Sequence, residues 1–432
     1  MRSLLLALVP YALMGVVKHG LRPSAALAGS EGVMAAGFIL LAAYLVGRIV
    51  GQRRLPKITG YLLAGIACGP YFLNLLSREV VAGLQLIDGI ALSFIALTAG
   101  GEFVVARVRR QWRLISAIIV GKTVVVLLGV CALVVVIYPW VPFLHQLNLE
   151  AALGVGLILG VLSVAKSPAT TIAVITETRA RGPLTELLLS VTVAKDILVI
   201  LIFAFVLGIA EPLIHPEQGV QLVHLVLVLR DMFFSILVGA GVGLLIYGYL
   251  RLVREQVFLF LMGLVLLLVE MSHLFHLETI LVFLSAGFVV QNFSSEGGRL
   301  IATIEENSLP IYVLFFCIAG ASLDFGIFLQ NWWFTLVLVA ARLATTWGGT
   351  ALGTRLVPAS ESIRRYAWKG FIGQAGVTLG LAIIVQQSIG GALGLSIKNV
   401  IVAAIIVNQL LGPVLLHRAL VQGREIPSPA AS

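Results

Sequence analysis

Long apolar runs, separated by short polar connections, extend over most of the chain. Most of these runs hold about 20 residues, which is the length that an α-helix needs to cross a bilayer. A membrane-spanning strand would instead alternate apolar and polar positions over about ten residues. Because backbone in lipid must satisfy its own hydrogen bonds, the pattern predicts an all-α polytopic membrane protein. Thirteen spans are predicted, at residues 32–51, 57–76, 82–107, 113–140, 151–175, 184–210, 222–253, 255–274, 277–293, 309–329, 332–356, 366–390 and 396–420.

A shorter apolar segment at residues 4–17 precedes these spans. A basic start, an apolar stretch and the small residues Ala26 and Ala28 at a possible cleavage site are typical of a secretory signal sequence. Lys18 and Arg22 fit poorly into a cleavage region, however. We therefore expect residues 1–31 to form an uncleaved extra helix, either spanning or interfacial, with a signal sequence as the alternative.

Basic residues are concentrated in every second connection between the predicted spans. Positive charge is retained on the cytoplasmic side of membrane proteins, so these connections are expected to be cytoplasmic and residue 32 to face outside. The C-terminus then lies in the cytoplasm, in what we expect to be a bacterial inner membrane. The basic connections hold Arg48, Arg53, Arg54, Lys57, Arg107, Arg109, Arg110, Arg113, Arg179, Arg181, Arg251, Arg254, Arg299, Arg355, Arg364, Arg365 and Lys369.

The thirteen spans divide into six, one and six. Residues 32–210 form the first set, 211–254 a linker helix, 255–420 the second set and 421–432 a short cytoplasmic tail. Because the single linker helix crosses the membrane once, the second set enters the membrane from the opposite side. This predicts two inverted six-helix repeats. Secondary transporters are often built this way, with the binding site near the midplane where interrupted helices meet.

The fifth span of each set is interrupted by residues that disfavour a continuous apolar helix. In the first set the interruption contains Lys166, Ser167, Pro168, Thr170 and Thr171. The matching stretch of the second set runs from Gly373 to Gly380 and includes Gln374, Gly376 and Thr378. Interrupted segments in corresponding positions are the best sequence indication of a transport site.

The sixth spans carry polar pairs, Lys195-Asp196 in one set and Asn408-Gln409 in the other. A charged residue in the middle of a span is costly and usually faces a cavity or an ion path. Asp196 is therefore the first candidate for an ion- or proton-binding group.

Composition narrows the class of protein further. The 432 residues are 59% hydrophobic and only 11% charged, against about 25% charged in soluble domains. The net charge of +9 is located at span ends and does not indicate a nucleic-acid partner. The three cysteines, Cys68, Cys131 and Cys317, lack metal-ligand spacing. No nucleotide-binding motif or catalytic triad is present, so neither an enzyme nor a bound cofactor is expected.

Five motifs, in this order, resemble those of the monovalent cation:proton antiporter superfamily, in particular its bacterial sodium/proton exchangers. They are LPKITGYLLAG at 55–65 with Gly69-Pro70, LTAGGE at 97–102, FLSAGF at 283–288, LFFCIAGASLD at 314–324 and GQAGVTLGLA at 373–382. The resemblance implies two crossed, interrupted helices in a core beside a dimerising panel, and hence a homodimer. It also implies that Asp196 is the transport aspartate, which binds Na⁺ or K⁺ transiently. Arg342 is then a charge-balancing residue, together with Asn408 and Gln409.

The chain departs from this family at two positions. Lys195 stands where the family usually has Asp, Asn or Gln before the transport aspartate, and Lys166 where it often has Thr or Asp. Lys195 points about 100° away from Asp196 on a helix, since only residues three or four apart share a face. Lys195 either titrates as a second proton-binding group or acts as a fixed charge that replaces an ion.

These observations predict a secondary active transporter that exchanges Na⁺ or K⁺ for protons by alternating access within the lipid bilayer. Two alternatives stay open. Lys166, Lys195 and Arg342 make the site net positive, which would suit an anionic substrate carried with protons. The other alternative is a non-transporting membrane sensor or assembly subunit.

Lys122, nine residues past Arg113, is expected to extend its ammonium to the cytoplasmic surface.

Overall fold

A computed structural model describes residues 31–53, 55–84, 86–216, 222–275, 277–323, 325–374 and 376–427. The predicted N-terminal segment at 1–31 therefore lies outside the described residues, apart from Glu31. Within the described ranges the chain is helical and contains no strand. This agrees with the all-α class that the apolar runs predict.

The helices follow the predicted spans closely in position. They are α1 (Glu31–Gln52), α2 (Lys57–Cys68), α3 (Arg78–Gly83), α4 (Leu86–Glu102), α5 (Val105–Ile137), α6 (Leu149–Val164), α7 (Pro168–Thr178), α8 (Pro183–Ile214), α9 (Leu222–Leu252), α10 (Val257–Leu274), α11 (Thr279–Phe293), α12 (Gly297–Asn307), α13 (Leu309–Ala321), α14 (Phe325–Gln330), α15 (Trp332–Leu356), α16 (Glu361–Tyr366), α17 (Gly376–Ile389) and α18 (Gly391–Gln422). Short 3₁₀ turns at Tyr138–Trp140 and Ala367–Phe371 complete them.

Several helices are shorter than the spans predicted from the apolar runs. Among the described residues, seven helices are long and apolar enough to cross a membrane, or up to eight if the bent pair α12 and α13 forms one span. The span predicted at 57–76 ends at Cys68, because Gly69 takes an extended conformation before Pro70. The span predicted at 309–329 gives a helix only as far as Ala321. The count of thirteen crossings and the inverted repeats remain predictions.

The long helices pack into two groups. The first, the core bundle, contains α5, α6, α7, α8, α15, α17 and α18, in which α5 lies along α15 and α6. The second, the panel, contains α1, α2, α4, α11 and α13, in which α2 lies between α1 and α13 and α4 lies along α11. Helix α9 packs on α11 of the panel and on α8 of the core bundle, so it connects the two groups.

Glu425, at the end of the chain's described part, holds the first turn of α8. Its side-chain carboxylate accepts hydrogen bonds from the backbone N–H groups of Leu184 and Thr185, each at 2.7 Å, and from Thr185 Oγ1 at 2.7 Å. A carboxylate is favourable there, because the first N–H groups of a helix have no partner within the helix. This contact fixes the helix that carries Lys195 and Asp196.

Glycines bring the backbones of panel helices α4 and α11 into direct contact. A Cβ atom at Gly100 would lie 2.0 Å from the carbonyl oxygen of Leu284, and one at Gly287 would lie 2.1 Å from that of Leu97. Such close approach through small residues is how helices pack tightly in membranes. The glycines of the LTAGGE and FLSAGF motifs therefore serve the packing of the panel.

Gly100→Ala is expected to destabilise the protein, because the added methyl group meets backbone that cannot yield without moving α11. We expect the free energy of unfolding in detergent to fall by about 1–3 kcal/mol. Gly263→Ala in α10 is the matched control, since a Cβ atom there meets no heavy atom within 4 Å. Equal stability of the two variants would contradict the assigned packing of α4 against α11.

Candidate functional site

The first interruption separates α6 from α7 at residues 165–167. Pro168 is the first residue of α7. A backbone N–H at this position would have no acceptor within the helix, so proline removes no hydrogen bond there. The Ser167 side chain caps this helix by accepting from the backbone N–H of Thr170 at 3.2 Å. Thr171 Oγ1 donates to the Ser167 carbonyl at 3.3 Å. The Ser-Pro and threonine residues thus end one half-helix and start the next.

The second interruption lies directly against the first. It follows the 3₁₀ turn that ends at Phe371, and α17 begins beyond it at Gly376. The backbone N–H of Ser167 donates to the carbonyl of Gly373 at 2.9 Å, which joins the two non-helical stretches. Gln374 Nε2 donates to the Leu162 carbonyl at 2.9 Å, near the end of α6. The interruptions predicted from the two fifth spans therefore meet in space.

Helix α18 packs against the second interruption. A Cβ atom at Gly412 would lie 2.5 Å from Gly373 Cα, so only glycine allows this approach. Asn408 Nδ2 donates to Gln374 Oε1 at 2.8 Å, while Asn408 Oδ1 has no hydrogen-bond partner among the described residues. Gln409 is also buried on α18. Thr378 is buried on α17, and within the described part of the chain its hydroxyl has no partner either.

Two lysines form hydrogen bonds between α8 and the region of the first interruption, one donating from each side. Lys195 on α8 donates from Nζ to the carbonyl of Val164, the last residue of α6. Lys166 in the interruption donates from Nζ to Thr192 Oγ1, one turn before Lys195 on α8. Both side chains are almost fully buried. Asp196 follows Lys195 on α8, and its side chain is outside the described part of the structure.

Arg342 on α15 donates to both interruptions at once. Its Nε bonds to the Ser163 carbonyl at 2.9 Å and its Nη2 to the Ala165 carbonyl at 3.0 Å, at the end of α6. Its Nη1 bonds to the Ile372 carbonyl at 2.6 Å, and Nη2 also approaches that of Phe371 at 3.4 Å. The planar fork of arginine suits such divided contacts. The helix C-termini that it contacts carry partial negative charge, which the guanidinium offsets.

The expectation that Lys122 reaches the cytoplasmic surface is wrong. Lys122 is completely buried, and its Nζ lies 5.1 Å from the centroid of the Phe371 ring. Lys166 Nζ lies at the same distance from that ring. The span of α5 begins at Gln111, and 11 residues correspond to about 16 Å along the helix. Lys122 is thus too deep to reach the surface.

A sequence signal for this burial was available. Gly121 precedes Lys122, and α15 carries Gly349 and Gly353. A Cβ atom at Gly349 would lie 2.6 Å from Lys122 Cα. These glycines indicate close backbone contact around Lys122, which excludes a surface position. Phe371 and Thr192, the other contacts that sequence reasoning did not find, have no comparable signal.

Cavities lie between the core bundle and the panel in the described part of the protein. A cavity of about 10 Å³ lies where Ser167 and Pro168 face Ala99 of α4 and Leu284 of α11. A larger one, of about 560 Å³, opens where the basic connections are located. Several of the residues that line it are charged or titratable. The lining residues are Tyr44, Arg48, Gly51, Gln52, Leu55, Lys57, Glu177, Thr178, His417 and Ile426.

Glu177 also bridges the two groups of helices at this basic end. It is located in the last turn of α7, and its carboxylate accepts hydrogen bonds from the backbone N–H groups of Lys57 at 2.7 Å and Ile58 at 3.3 Å. These N–H groups open panel helix α2, where a carboxylate is favourable. The half-helix that begins at the first interruption therefore ends on the panel.

Two interrupted helices that meet inside a helical membrane protein, held by buried charged residues, define a transporter fold. The chain belongs to the sodium/hydrogen exchanger family, since the family's transmembrane model matches residues 37–422. The resemblance drawn from the sequence motifs is thereby confirmed. Among curated protein sequences, none matches this chain.

The fold is similar to that of the sodium proton antiporter MjNhaP1 from Methanocaldococcus jannaschii. Its structure at pH 8 has a TM-score of 0.67 and 18% sequence identity, covering 91% of this chain and 98% of the antiporter. A structure from an electron-microscopy map of the same antiporter has a TM-score of 0.69 and 18% identity, covering 90% and 97%. At this identity the likeness shows the fold alone.

Proposed function

We propose that this protein is a secondary active antiporter that exchanges a monovalent cation, Na⁺ or K⁺, for protons. Family membership supports cation:proton antiport in general. In our proposal Asp196 binds the cation or a proton in turn, because a carboxylate can hold one of them at a time. Hard monovalent cations favour oxygen ligands of this kind, as harder divalent ions do.

The observation that carries this proposal is the Ser167–Gly373 hydrogen bond between the two interruptions. Asp196 is on α8 beside this crossing, since the preceding Lys195 bonds to Val164 at the end of α6. Non-helical backbone at membrane depth is tolerated only where it is buried in protein or lines a water-filled path. A carboxylate-bearing helix next to two such stretches is the arrangement expected of an ion site.

The hydrogen bonding of Lys195 and Arg342 also favours a cation over an anion. Lys195 and Arg342 direct their donors at the carbonyls of Ser163, Val164, Ala165, Phe371 and Ile372. The positive charges that made an anionic substrate attractive are therefore largely engaged by helix ends. In this proposal Lys195 and Arg342 stabilise the interruptions, while Asp196 remains for the transported ion.

The division into a core bundle and a panel supports transport by alternating access. We propose that the core bundle moves against the panel, carrying the crossing and Asp196 between the two sides. The inverted repeats at 32–210 and 255–420, the linker at 211–254, a homodimer formed through the panel and a cytoplasmic tail at 421–432 belong to the same proposal. The basic end of the helices, with its cavity of about 560 Å³, would face the cytoplasm.

The test is ion exchange by the purified protein in proteoliposomes. We expect Na⁺, K⁺ or Li⁺ added outside to drive proton efflux, followed with a pH-sensitive dye. Replacement of chloride by gluconate on both sides should leave the flux unchanged. Protein-free liposomes are the control.

Two results would contradict this proposal. A flux that depends on the anion and not on the cation would favour the anionic-substrate alternative. The absence of any cation-driven proton flux in well-folded protein would favour a non-transporting role.

A further inference from the structure

The cavity of about 560 Å³ at the basic end of the helices is lined by both groups of helices. Its panel wall comes from α1, the connection after it and the start of α2. Its core wall comes from the end of α7 and from α18, with Ile426 beyond it. Cavities that bind small molecules usually have a volume of about 300–1,000 Å³. This one is therefore large enough for a small ligand that touches the core bundle and the panel at once.

One face of α1 forms much of the panel wall. Tyr44, Arg48 and Gln52 are four residues apart, so they lie on the same face of this helix, and all three line the cavity. Lys57, the first residue of α2, lines it as well. Arg53 is in the same connection and is exposed, but it is not part of the lining. Retention of positive charge on the cytoplasmic side therefore does not account for the placement of Arg48 and Lys57 in a shared concave space.

Three side chains bring hydrogen-bond donors into this cavity from two directions. Arg48 and Lys57 approach from the panel, and His417 approaches from the core bundle. Within the described part of the chain, their guanidinium, ammonium and imidazole groups form no hydrogen bond and no ion pair. An acceptor placed between the two walls would therefore meet donors that no protein group already uses.

The acidic side chain in this lining is Glu177, and its carboxylate is already engaged. Its Oε1 accepts from the backbone N–H of Lys57 at 2.7 Å, and its Oε2 accepts from that of Ile58 at 3.3 Å. Two positive side chains and one negative side chain leave the lining with a net positive charge, even when His417 is neutral. A cavity with walls of this kind concentrates anions from the surrounding water.

Phosphate is the anion that this set of donors suits. The planar fork of arginine binds a phosphate group through two parallel hydrogen bonds, and lysine binds it as a point charge. We propose that the cavity binds a ligand with an anionic phosphate group, held by Arg48 and Lys57 of the panel and by His417 of the core bundle. An acidic lipid and a soluble phosphate compound present the same group, and the experiment below separates these two sources.

The inference goes beyond the proposed exchange, because a ligand bound to both walls regulates the movement of one wall against the other. If the core bundle moves against the panel in each cycle, a bound phosphate must lose its contacts with one of them. The ligand therefore favours the arrangement in which both walls reach it, and it shifts the population toward that state. Occupancy of the cavity slows exchange.

Binding is measured first, as a shift in the thermal unfolding temperature of the purified protein in detergent. Inorganic phosphate is the soluble probe and a short-chain phosphatidic acid is the lipid probe, each compared with chloride at equal ionic strength. We expect at least one probe to stabilise wild type in a concentration-dependent manner, because a ligand that binds the folded protein raises its stability. The probe that acts at the lower concentration identifies the source of the phosphate.

Two variants test the assigned residues. Arg48→Gln and Lys57→Gln each remove one charge, and Lys57→Gln keeps the backbone N–H that Glu177 accepts from. Losing a charge-assisted hydrogen bond weakens binding about tenfold or more, so the concentration for half-maximal stabilisation should rise by that factor. Arg53→Gln is the matched control, because Arg53 is an exposed arginine of the same connection. It should bind the probe as wild type does.

The effect on transport is measured in proteoliposomes. Inorganic phosphate on both sides of phosphatidylcholine vesicles tests the soluble source. Vesicles of phosphatidylcholine and phosphatidic acid in equal amounts test the lipid source. We expect the effective probe to slow cation-driven proton flux in wild type and in Arg53→Gln. Arg48→Gln and Lys57→Gln should lose less flux under the same conditions.

The outcomes are distinct. Stabilisation by neither probe, or equal stabilisation of wild type, Arg48→Gln and Lys57→Gln, would overturn the inference. Binding that depends on these two residues but leaves the flux unchanged would show that the ligand does not restrain the core bundle. Each variant must elute as a monodisperse peak, and if one of the two fails, the other carries the test. Binding is measured without ion exchange, so a wild type that binds a probe but shows no cation-driven flux contradicts the proposed antiport alone.

Discussion

Arg342→Met is expected to cause the largest loss of stability of any single change at the site. The variant removes the donor for the carbonyls of Ser163, Ala165, Phe371 and Ile372. Those oxygens are buried inside the protein, where an unsatisfied polar group costs free energy. Because several buried acceptors lose their donor and each costs about 1–3 kcal/mol, we expect the free energy of unfolding to fall by about 3–5 kcal/mol, measured by denaturant titration in detergent.

Arg355→Met is the matched control, because Arg355 is in the last turn of the same helix and its side chain is exposed. That change should stay within about 0.5 kcal/mol of wild type. Arg342→Lys should fall between the two, since an ammonium reaches fewer of the divided carbonyls than a guanidinium. If Arg342→Met and Arg355→Met unfold alike, Arg342 does not hold the two interruptions together.

Asp196→Asn is expected to cause the largest loss of transport. The amide has nearly the same shape but neither carries a charge nor titrates near neutral pH. Losing a charged ligand costs about 1.5–3 kcal/mol, or about 10–100-fold in cation affinity. Exchange should fall further, because a group that binds no proton cannot couple the two fluxes. Counterflow of labelled Na⁺ and dye-detected proton flux in proteoliposomes measure both effects.

The control for this variant is Asp231→Asn on α9. Asp231 pairs with Arg230 at 2.8 Å, and both side chains are partly exposed. We expect this change to leave cation-driven proton flux near the wild-type level. Retention of coupled exchange by Asp196→Asn would show that another group binds the ion.

The sequence predicts the positions of the helices well because an apolar run of sufficient length has one stable solution in lipid. It predicts their ends less well. Gly69-Pro70 terminates α2 at Cys68 although the apolar run continues to residue 76. The end of a helix depends on local backbone chemistry, which hydropathy does not include.

The two interruptions were predictable because proline, glycine and hydroxyl residues stand in matching spans. The direction of the long side chains was not predicted correctly. Lys122 has the spacing of a surface-reaching lysine, yet contact with the glycines of α15 keeps it inside. Likewise, the sequence does not indicate that Lys195 bonds to the end of α6 and that Lys166 bonds to Thr192 on α8. Such pairings depend on packing between segments far apart in the chain.

The contact of Glu177 with the first turn of α2 has a consequence for the rate of the transport cycle. If the core bundle moves against the panel in each cycle, the hydrogen bonds to Lys57 and Ile58 must break and re-form every time. Their opening rate then sets a ceiling on turnover that is independent of the ion carried. A weaker acceptor at residue 177 would raise the maximum turnover rate. The core bundle and the panel would then stay separated for longer in each cycle.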